Sequence, residues 1–302
     1  MSLTFGPVSS RRFGLSLGID LSPEQKQCNY DCLYCELKGA KTVDKVKNPP
    51  LVVDVIKDVT LSLLKYTDIE VITITANGEP TLYPNLKELV SQLNKIKKEK
   101  KLLILSNAST ISSETIQDAL LDIDIVKLSL DSADEKIFKK LDRPHKQINL
   151  QDVINGMIEF RKKFKNSLIL EVLVVKDLND TKEEFEKLNL VFNKIKPDRV
   201  DIGTIDRPSA YKVDAVTVDR LEFLSKFIEN IPVNIAKRDK NIKGVYDLNK
   251  DEILSLLKKR PQSEGDVKNI MSKKTQQNFF ELLEEKKIKL VDVANINFYK
   301  IS

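Results

Sequence analysis

The chain has 302 residues, of which 41% are hydrophobic and 31% charged, so it has ample apolar content for a buried core inside a polar shell. No apolar run approaches the roughly 18 residues of a membrane span, and the opening MSLTFGPVSSRR lacks an apolar signal core, so a cytoplasmic protein without membrane association is expected. A single histidine, His145, excludes a histidine-rich zinc site, and three cysteines confined to positions 28–35 do not suit a disulfide framework. The length suits a main body with a small appendage. The net charge of +5 is uneven: from Lys237 to Ser302 there are 15 Lys and Arg against 10 Asp and Glu. Such a tail reads either as solvated helix surface or as a face for nucleic acid or another anion.

In chain order, GLSLGID (14–20) is the first short run rich in β-branched residues and reads as a strand. After the cysteine-bearing stretch, helical spacing at 52–66 leads to a strand at 71–76, helix at 84–98 to strand at 101–107, and helix at 114–121 to strand at 125–131. A helix at 150–164 then precedes a strand at 167–175, one at 181–195 precedes a strand at 199–205, and one at 218–230 precedes a strand at 232–236. Such alternation implies parallel pairing through right-handed crossovers. Six or seven units are too few to close an ordinary eight-stranded barrel, so the expected fold is α/β, a partial (β/α)6-type open TIM barrel, with a doubly wound open sheet as the alternative. In either fold, ligands gather where strands end at their C-terminal edge. From 247 the pattern changes to three short helices and a hairpin turning at Ala294 and Asn295, a winged-helix arrangement. The expected division is therefore 1–246 for the barrel and 247–302 for the small domain.

The chemistry begins at QCNYDCLYCEL. Cys28, Cys32 and Cys35 form a C-x3-C-x2-C loop that can point three thiolates at one inorganic centre. Three unrelated thiols or a three-ligand zinc site are the alternatives, but zinc asks for a nearby His or a fourth Cys, and neither is present. Several polar residues sit where strands are predicted to end. Asn77-Gly78-Glu79-Pro80 follows one strand, Ser106 and Asn107 another, and Ser129 and Asp131 a third. Lys127 precedes that third pair on the same face, where a plain Lys127–Asp131 ion pair would satisfy both charges. Glu171 interrupts the apolar strand SLILEVLVV, so it lies on an edge or is satisfied inside the barrel, and the second fits a ligand contact.

The cysteine spacing, with Tyr34 at the aromatic position, resembles the radical S-adenosylmethionine (SAM) superfamily. That resemblance implies a [4Fe-4S] cluster on Cys28, Cys32 and Cys35, reductive cleavage of SAM to methionine and a 5′-deoxyadenosyl radical, and an electron donor such as flavodoxin or ferredoxin. It places SAM on Gly78, Glu79 and Pro80, with Glu79 at the methionine amino group, and makes Ser106, Asn107, Ser129, Asp131 and Glu171 further candidate contacts. FGPVSSRRFGLSLGIDL, DRPH (142–145) and TIDRPSAYKV (204–213) are similar to radical SAM proteins related to the wyosine-forming tRNA enzymes. In that group the N-terminal stretch forms the first strand, Arg11 and Arg12 lie near the site, and the two RP loops border the substrate side. Those enzymes carry a second cluster with its own cysteines; this chain has none left for it, which argues against wyosine synthesis itself. The implied substrate is a nucleoside, RNA or another polar molecule, with peptide modification and a non-catalytic iron-sulfur sensor using a nucleic-acid-binding winged helix as alternatives. His145 is expected to bond locally after a predicted helix, and Tyr30 and Tyr34 to shield the cluster.

Overall fold

The computed structural model describes residues 2–10, 12–235, 246–293 and 296–302. Eight strands form one sheet in sequential order: β1 (Thr4–Ser10), β2 (Gly14–Asp20), β3 (Val71–Thr75), β4 (Lys101–Ser106), β5 (Ile125–Ser129), β6 (Ser167–Val174), β7 (Arg199–Thr204) and β8 (Val233–Ile235). β1 runs antiparallel to β2, and β2 to β8 are parallel. The order never reverses, so the sheet has no switch point of the kind a doubly wound sheet uses. The connections carry α1 (Val52–Lys65), α2 (Leu86–Ile96), α3 (Glu114–Leu120), α4 (Glu135–Leu141), α5 (Leu150–Lys163), α6 (Lys182–Ile195) and α7 (Val218–Ser225).

Strand alternation divides the sheet into two chemically different faces. On one lie Leu17 and Ile19, Ile72 and Ile74, Leu102 and Ile104, Val126 and Leu128, Leu168 and Leu170, and Val200 and Ile202, all at most 1% exposed. Each contributes about 1.5–3 kcal/mol by leaving water. The apolar stripes of the helices cover this face, through Val55 and Val59 of α1, Leu89 and Leu93 of α2, Met157 and Phe160 of α5 and Phe185 and Leu188 of α6. The other face carries Ser16, Thr73, Lys127, Ser129, Glu171, Arg199 and Asp201, and solvent reaches it: Leu105, in the middle of the sheet, is 37% exposed.

Beyond Tyr246 come α8 (Lys250–Lys259), β9 (Gln262–Ser263), α9 (Glu264–Ile270), α10 (Lys273–Glu284), β10 (Ile288–Val293) and β11 (Ile296–Ile301), with an antiparallel sheet in the order β10-β11-β9. Asn249 and Ser263 start α8 and α9 with capping boxes. The two-residue β9 is not legible in the sequence, being too short for any periodicity. The expected turn residues Ala294 and Asn295, like Arg11 and Ala236, lie outside the described residues. Ile253, Leu256, Leu257, Phe279 and Leu282 belong to the same apolar cluster as the main sheet, and Lys259 Nζ reaches Asp20 Oδ2 at the end of β2 at 3.3 Å. Because that core is continuous, Leu256→Ala should cost about 2–5 kcal/mol and shift one cooperative transition; calorimetry resolving a separately melting C-terminal unit would contradict this.

Candidate functional site

The cysteines lie on the irregular segment between β2 and α1, and the end of β3 receives it. Gln27 N donates to Asn77 O (2.8 Å) and Glu79 N to Gln27 O (3.1 Å), a strand-like bridge that lays the residue before Cys28 on Gly78. Gly78 has φ +141°, and a Cβ there would stand 1.8 Å from Gln27 O. Only glycine permits this approach. Asp20 ties the same two segments together, its Oδ1 accepting from Ser22 N (3.0 Å) and Asn77 N (2.7 Å).

Glu79 is 1% exposed. Its Oε1 accepts from Thr81 N (2.9 Å), Thr81 Oγ1 (2.6 Å) and Ser106 Oγ (2.7 Å), and Oε2 from Asn107 N (2.7 Å). Burial pushes its carboxyl above the usual range, and these donors pull it back in part. Asn107 in turn donates from Nδ2 to Cys28 Sγ (3.5 Å) and Asn29 Oδ1 (3.0 Å), and Asn29 donates to Ser109 Oγ (2.6 Å). Gly78, Glu79, Pro80, Ser106 and Asn107 are thus brought together against the first cysteine.

Ser129 and Asp131 meet the loop on its other side. Tyr34 Oη donates to Asp131 Oδ2 and lies 3.4 Å from Asp142 Oδ1. Burial pushes both carboxyls up, and their proximity raises Asp142 further, so the pair holds a proton more readily than two isolated aspartates. Tyr30, Asn107 and Ser129 join them around a cavity of about 10 Å³, the size of one water. Tyr30 packs edge-on to Phe138, with ring centroids 5.6 Å apart.

Both RP loops hold the cysteine loop. Asp31 N donates to Asp142 O (3.2 Å), Leu33 N to Leu141 O (2.9 Å) and His145 N to Asn29 O (2.7 Å), so His145 acts there through its backbone. From the second loop, Ala210 N donates to Cys35 O (2.7 Å), Arg207 Nη1 to Glu36 Oε1 (2.8 Å) and Tyr211 Oη to Asp31 Oδ2 (2.5 Å). Asp31 also takes Lys26 Nζ at 3.2 Å; against the upward push of burial, Tyr211 and Lys26 hold its carboxyl below the usual range.

The Lys127–Asp131 ion pair considered from sequence does not form. Lys127 Nζ instead lies 2.6 Å from Glu171 Oε1 and 3.3 Å from Asp201 Oδ2, because Ser129, Glu171 and Asp201 are register partners on neighbouring strands and Asp131 has left β5. Arg12 Nη1 joins Glu171 at 2.6 Å. Glu171 is therefore satisfied within the sheet face, apart from the cysteine loop. Asp201 was missed, although it shows the same signal as Glu171, a carboxylate inside an apolar strand. Asn29, Asp31, Asp142 and Tyr211 fall inside the motifs, but their roles were not legible because most of their partners come from distant elements.

The donor set fits an iron-sulfur cluster. Each cysteine is half-buried and reduced, and burial pushes the Cys28 thiol up to about 12 and those of Cys32 and Cys35 upward as well. Thiols so reluctant to ionise become thiolates when a bound metal supplies the charge. Among the described residues no three His, Cys, Asp or Glu side chains could hold a single ion; a cubane asks instead for thiolates that each take a different iron.

The Radical SAM superfamily model matches residues 25–188. The chain is 39% identical to a UPF0026 protein of Helicobacter pylori strain J99, over 99% of this chain and 97% of that one. It is 31% identical to a UPF0026 protein of Methanocaldococcus jannaschii, over 90% and 87%. Among solved structures it resembles Streptococcus suis SuiB bound to S-adenosylmethionine, with a TM-score of 0.57 and 19% identity, over 74% of this chain and about half (51%) of that one. By the family model that spans more than half its length, this chain belongs to the radical SAM superfamily, enzymes whose cofactors are a [4Fe-4S] cluster and SAM.

Proposed function

We propose that Cys28, Cys32 and Cys35 hold a [4Fe-4S] cluster, that the ends of β3, β4 and β5 hold SAM beside it, and that the enzyme acts on a nucleoside, RNA or related polar substrate. The observation that carries this reading is the Gln27–Gly78 bridge, which fixes the NGEP turn and Asn107 against Cys28. When bound, the reduced cluster supplies an electron that cleaves SAM to methionine and a 5′-deoxyadenosyl radical able to take hydrogen from substrate. The chain's own residues hold, orient and shield. Asn107 directs an amide N–H at a cysteine sulfur, Tyr30 and Tyr34 cover the loop, and the two RP loops keep its backbone in place. Sequential strand order with helices on one face supports the partial (β/α) barrel over residues 1–246, and three helices with a small antiparallel sheet support a winged helix over 247–302. The electron donor we propose is a flavodoxin or ferredoxin, in the cytoplasm. No helix of the described residues is long and apolar enough to cross a membrane.

Cys28→Ala, Cys32→Ala and Cys35→Ala should each abolish 5′-deoxyadenosine formation by anaerobically reconstituted, reduced protein. Parent-rate product from any one of them would remove that residue from the ligand set.

Glu79 gives a sharper test. Thr81 and Ser106 crowd its Oε1 and Asn107 N bonds its Oε2, and because all four donors come from this chain we read it as a positioning residue for the SAM site and not as the direct partner of the methionine amino group. Glu79→Gln replaces one acceptor oxygen with a donor facing buried N–H or O–H groups, a change of about 1.5–3 kcal/mol. Melting temperature and SAM affinity should therefore fall together; lost affinity at unchanged melting temperature would restore the direct contact.

If the substrate is RNA, Lys273, Lys274, Lys286 and Lys287 are exposed on the C-terminal module and available to phosphates, Lys287 with Glu285 2.7 Å away. RNA affinity should then fall linearly in log–log salt titration, with a slope that becomes shallower by about 0.7–0.9 per phosphate-contacting lysine replaced by Gln. An unchanged slope in the quadruple variant would move the interface elsewhere.

A further inference from the structure

We propose that the solvent-reached face of the sheet binds an oxyanion, a carboxylate or phosphate carried by the substrate, on Arg12, Lys127 and Arg199. The proposal rests on the radical SAM reading above and adds a substrate class to it. Arg12, from the turn between β1 and β2, enters beside Lys127 of β5 and Arg199 of β7. Their partners are Glu171 and Asp201: Arg12 and Lys127 each reach Glu171 Oε1 at 2.6 Å, and Arg199 Nε donates to Asp201 Oδ1 at 2.8 Å. Asn234 Nδ2 donates to the same Asp201 oxygen at 3.1 Å and adds no charge. In this network three cations meet two carboxylates, and both carboxylates are held ionised by Lys127 and Arg12 against the push of burial. Among the described residues one positive charge is left over, on a face where Lys127 is 5%, Arg12 12% and Arg199 31% exposed. An uncompensated charge held mostly out of water is costly, and a counterion entering from the solvent side relieves it.

The geometry leaves room and donors for one. Arg12 Nε is buried with no hydrogen-bond acceptor among the described residues, and Asp201 Oδ2 lies 3.4 Å from it as an ion-pair partner. Arg12 Nη2 lies beside Gly203, where an added Cβ would find it at 3.8 Å and meet nothing else within 4 Å. The Phe13 ring lies 5.9 Å from Lys127 Nζ and 5.8 Å from the Arg199 guanidinium, a cation–π contact to each. Glu171, 30% exposed, marks where solvent reaches the group. A planar guanidinium with a neighbouring ammonium is the donor pattern that carboxylates and phosphates take.

The test is calorimetric titration of the full-length reconstituted protein with inorganic phosphate and, separately, with acetate, in low-chloride buffer. One saturable site is expected. Arg12→Gln, which neutralises the excess, should weaken it at least about tenfold, and Gly203→Leu, which fills the space beside Arg12 Nη2 without changing the charge count, should weaken it as well. Glu171→Gln, which raises the excess, should tighten it. Saturation by phosphate alone assigns a phosphorylated substrate and by acetate alone a carboxylate one. No saturable binding of either probe overturns the proposal, as does loss in Arg12→Gln without gain in Glu171→Gln, which would mark damage to the fold. The readout needs neither SAM nor reductant, so its failure leaves SAM cleavage standing, and failed SAM cleavage leaves it standing.

Discussion

The structure depends on satisfying the backbone of the irregular segment 21–51. A stretch this long without helix or strand has no ladder of its own to satisfy its backbone, and buried N–H and C=O groups without partners each cost about 1–3 kcal/mol. Distant elements supply the partners. Thr75 and Asn77 at the end of β3, Leu141 and Asp142 at the end of α4, and Ala210 after β7 all bond to it through main chain. Within it, Gln27 closes on Lys47, accepting from its N at 2.5 Å and donating to its O at 3.1 Å. Three thiols on one loop are thereby held at fixed positions by the ends of two strands and one helix.

That arrangement explains why so much of the site's polarity is directed inward. Glu79, Asp20 and Asp31 each gather N–H, O–H or cationic donors from two or more segments. Such carboxylates act as pins, and the low local dielectric that makes an unpaired one expensive makes a fully bonded one a rigid joint. Gly78 serves the same end by removing a side chain, since two backbones meet where a Cβ would stand.

The division of the sheet into two faces sets where chemistry can occur. Helices take the apolar face because parallel strands need crossovers and right-handed crossovers fall on one side. The other face carries polar and charged residues, and charges there pair across register: Ser129, Glu171 and Asp201 are neighbours in the ladder, so Lys127, one pleat below Ser129, meets both carboxylates. The C-terminal helices share the core of the main body and send Lys259 to Asp20, the residue that clamps both Ser22 and Asn77. The appended segment is mechanically joined to the approach to the cysteine loop.

Local order was legible in the sequence because it depends on spacing. The three cysteines, the alternation of strands and helices, the polar residues at strand ends and the change of pattern near 247 all follow from neighbours a few residues apart. The sequence also showed that Lys127 and Glu171 needed partners. It could not say which, because a pairing between β5, β6, β7 and the turn at Arg12 is set by register and crossover handedness, and no local interaction encodes that. Only the tertiary structure showed which groups bond Glu79, namely Thr81, Ser106 and Asn107, and that both RP loops bond the cysteine loop. The physical reason is the same in each case: a hydrogen bond between residues far apart in sequence forms only after the whole sheet has fixed where they stand.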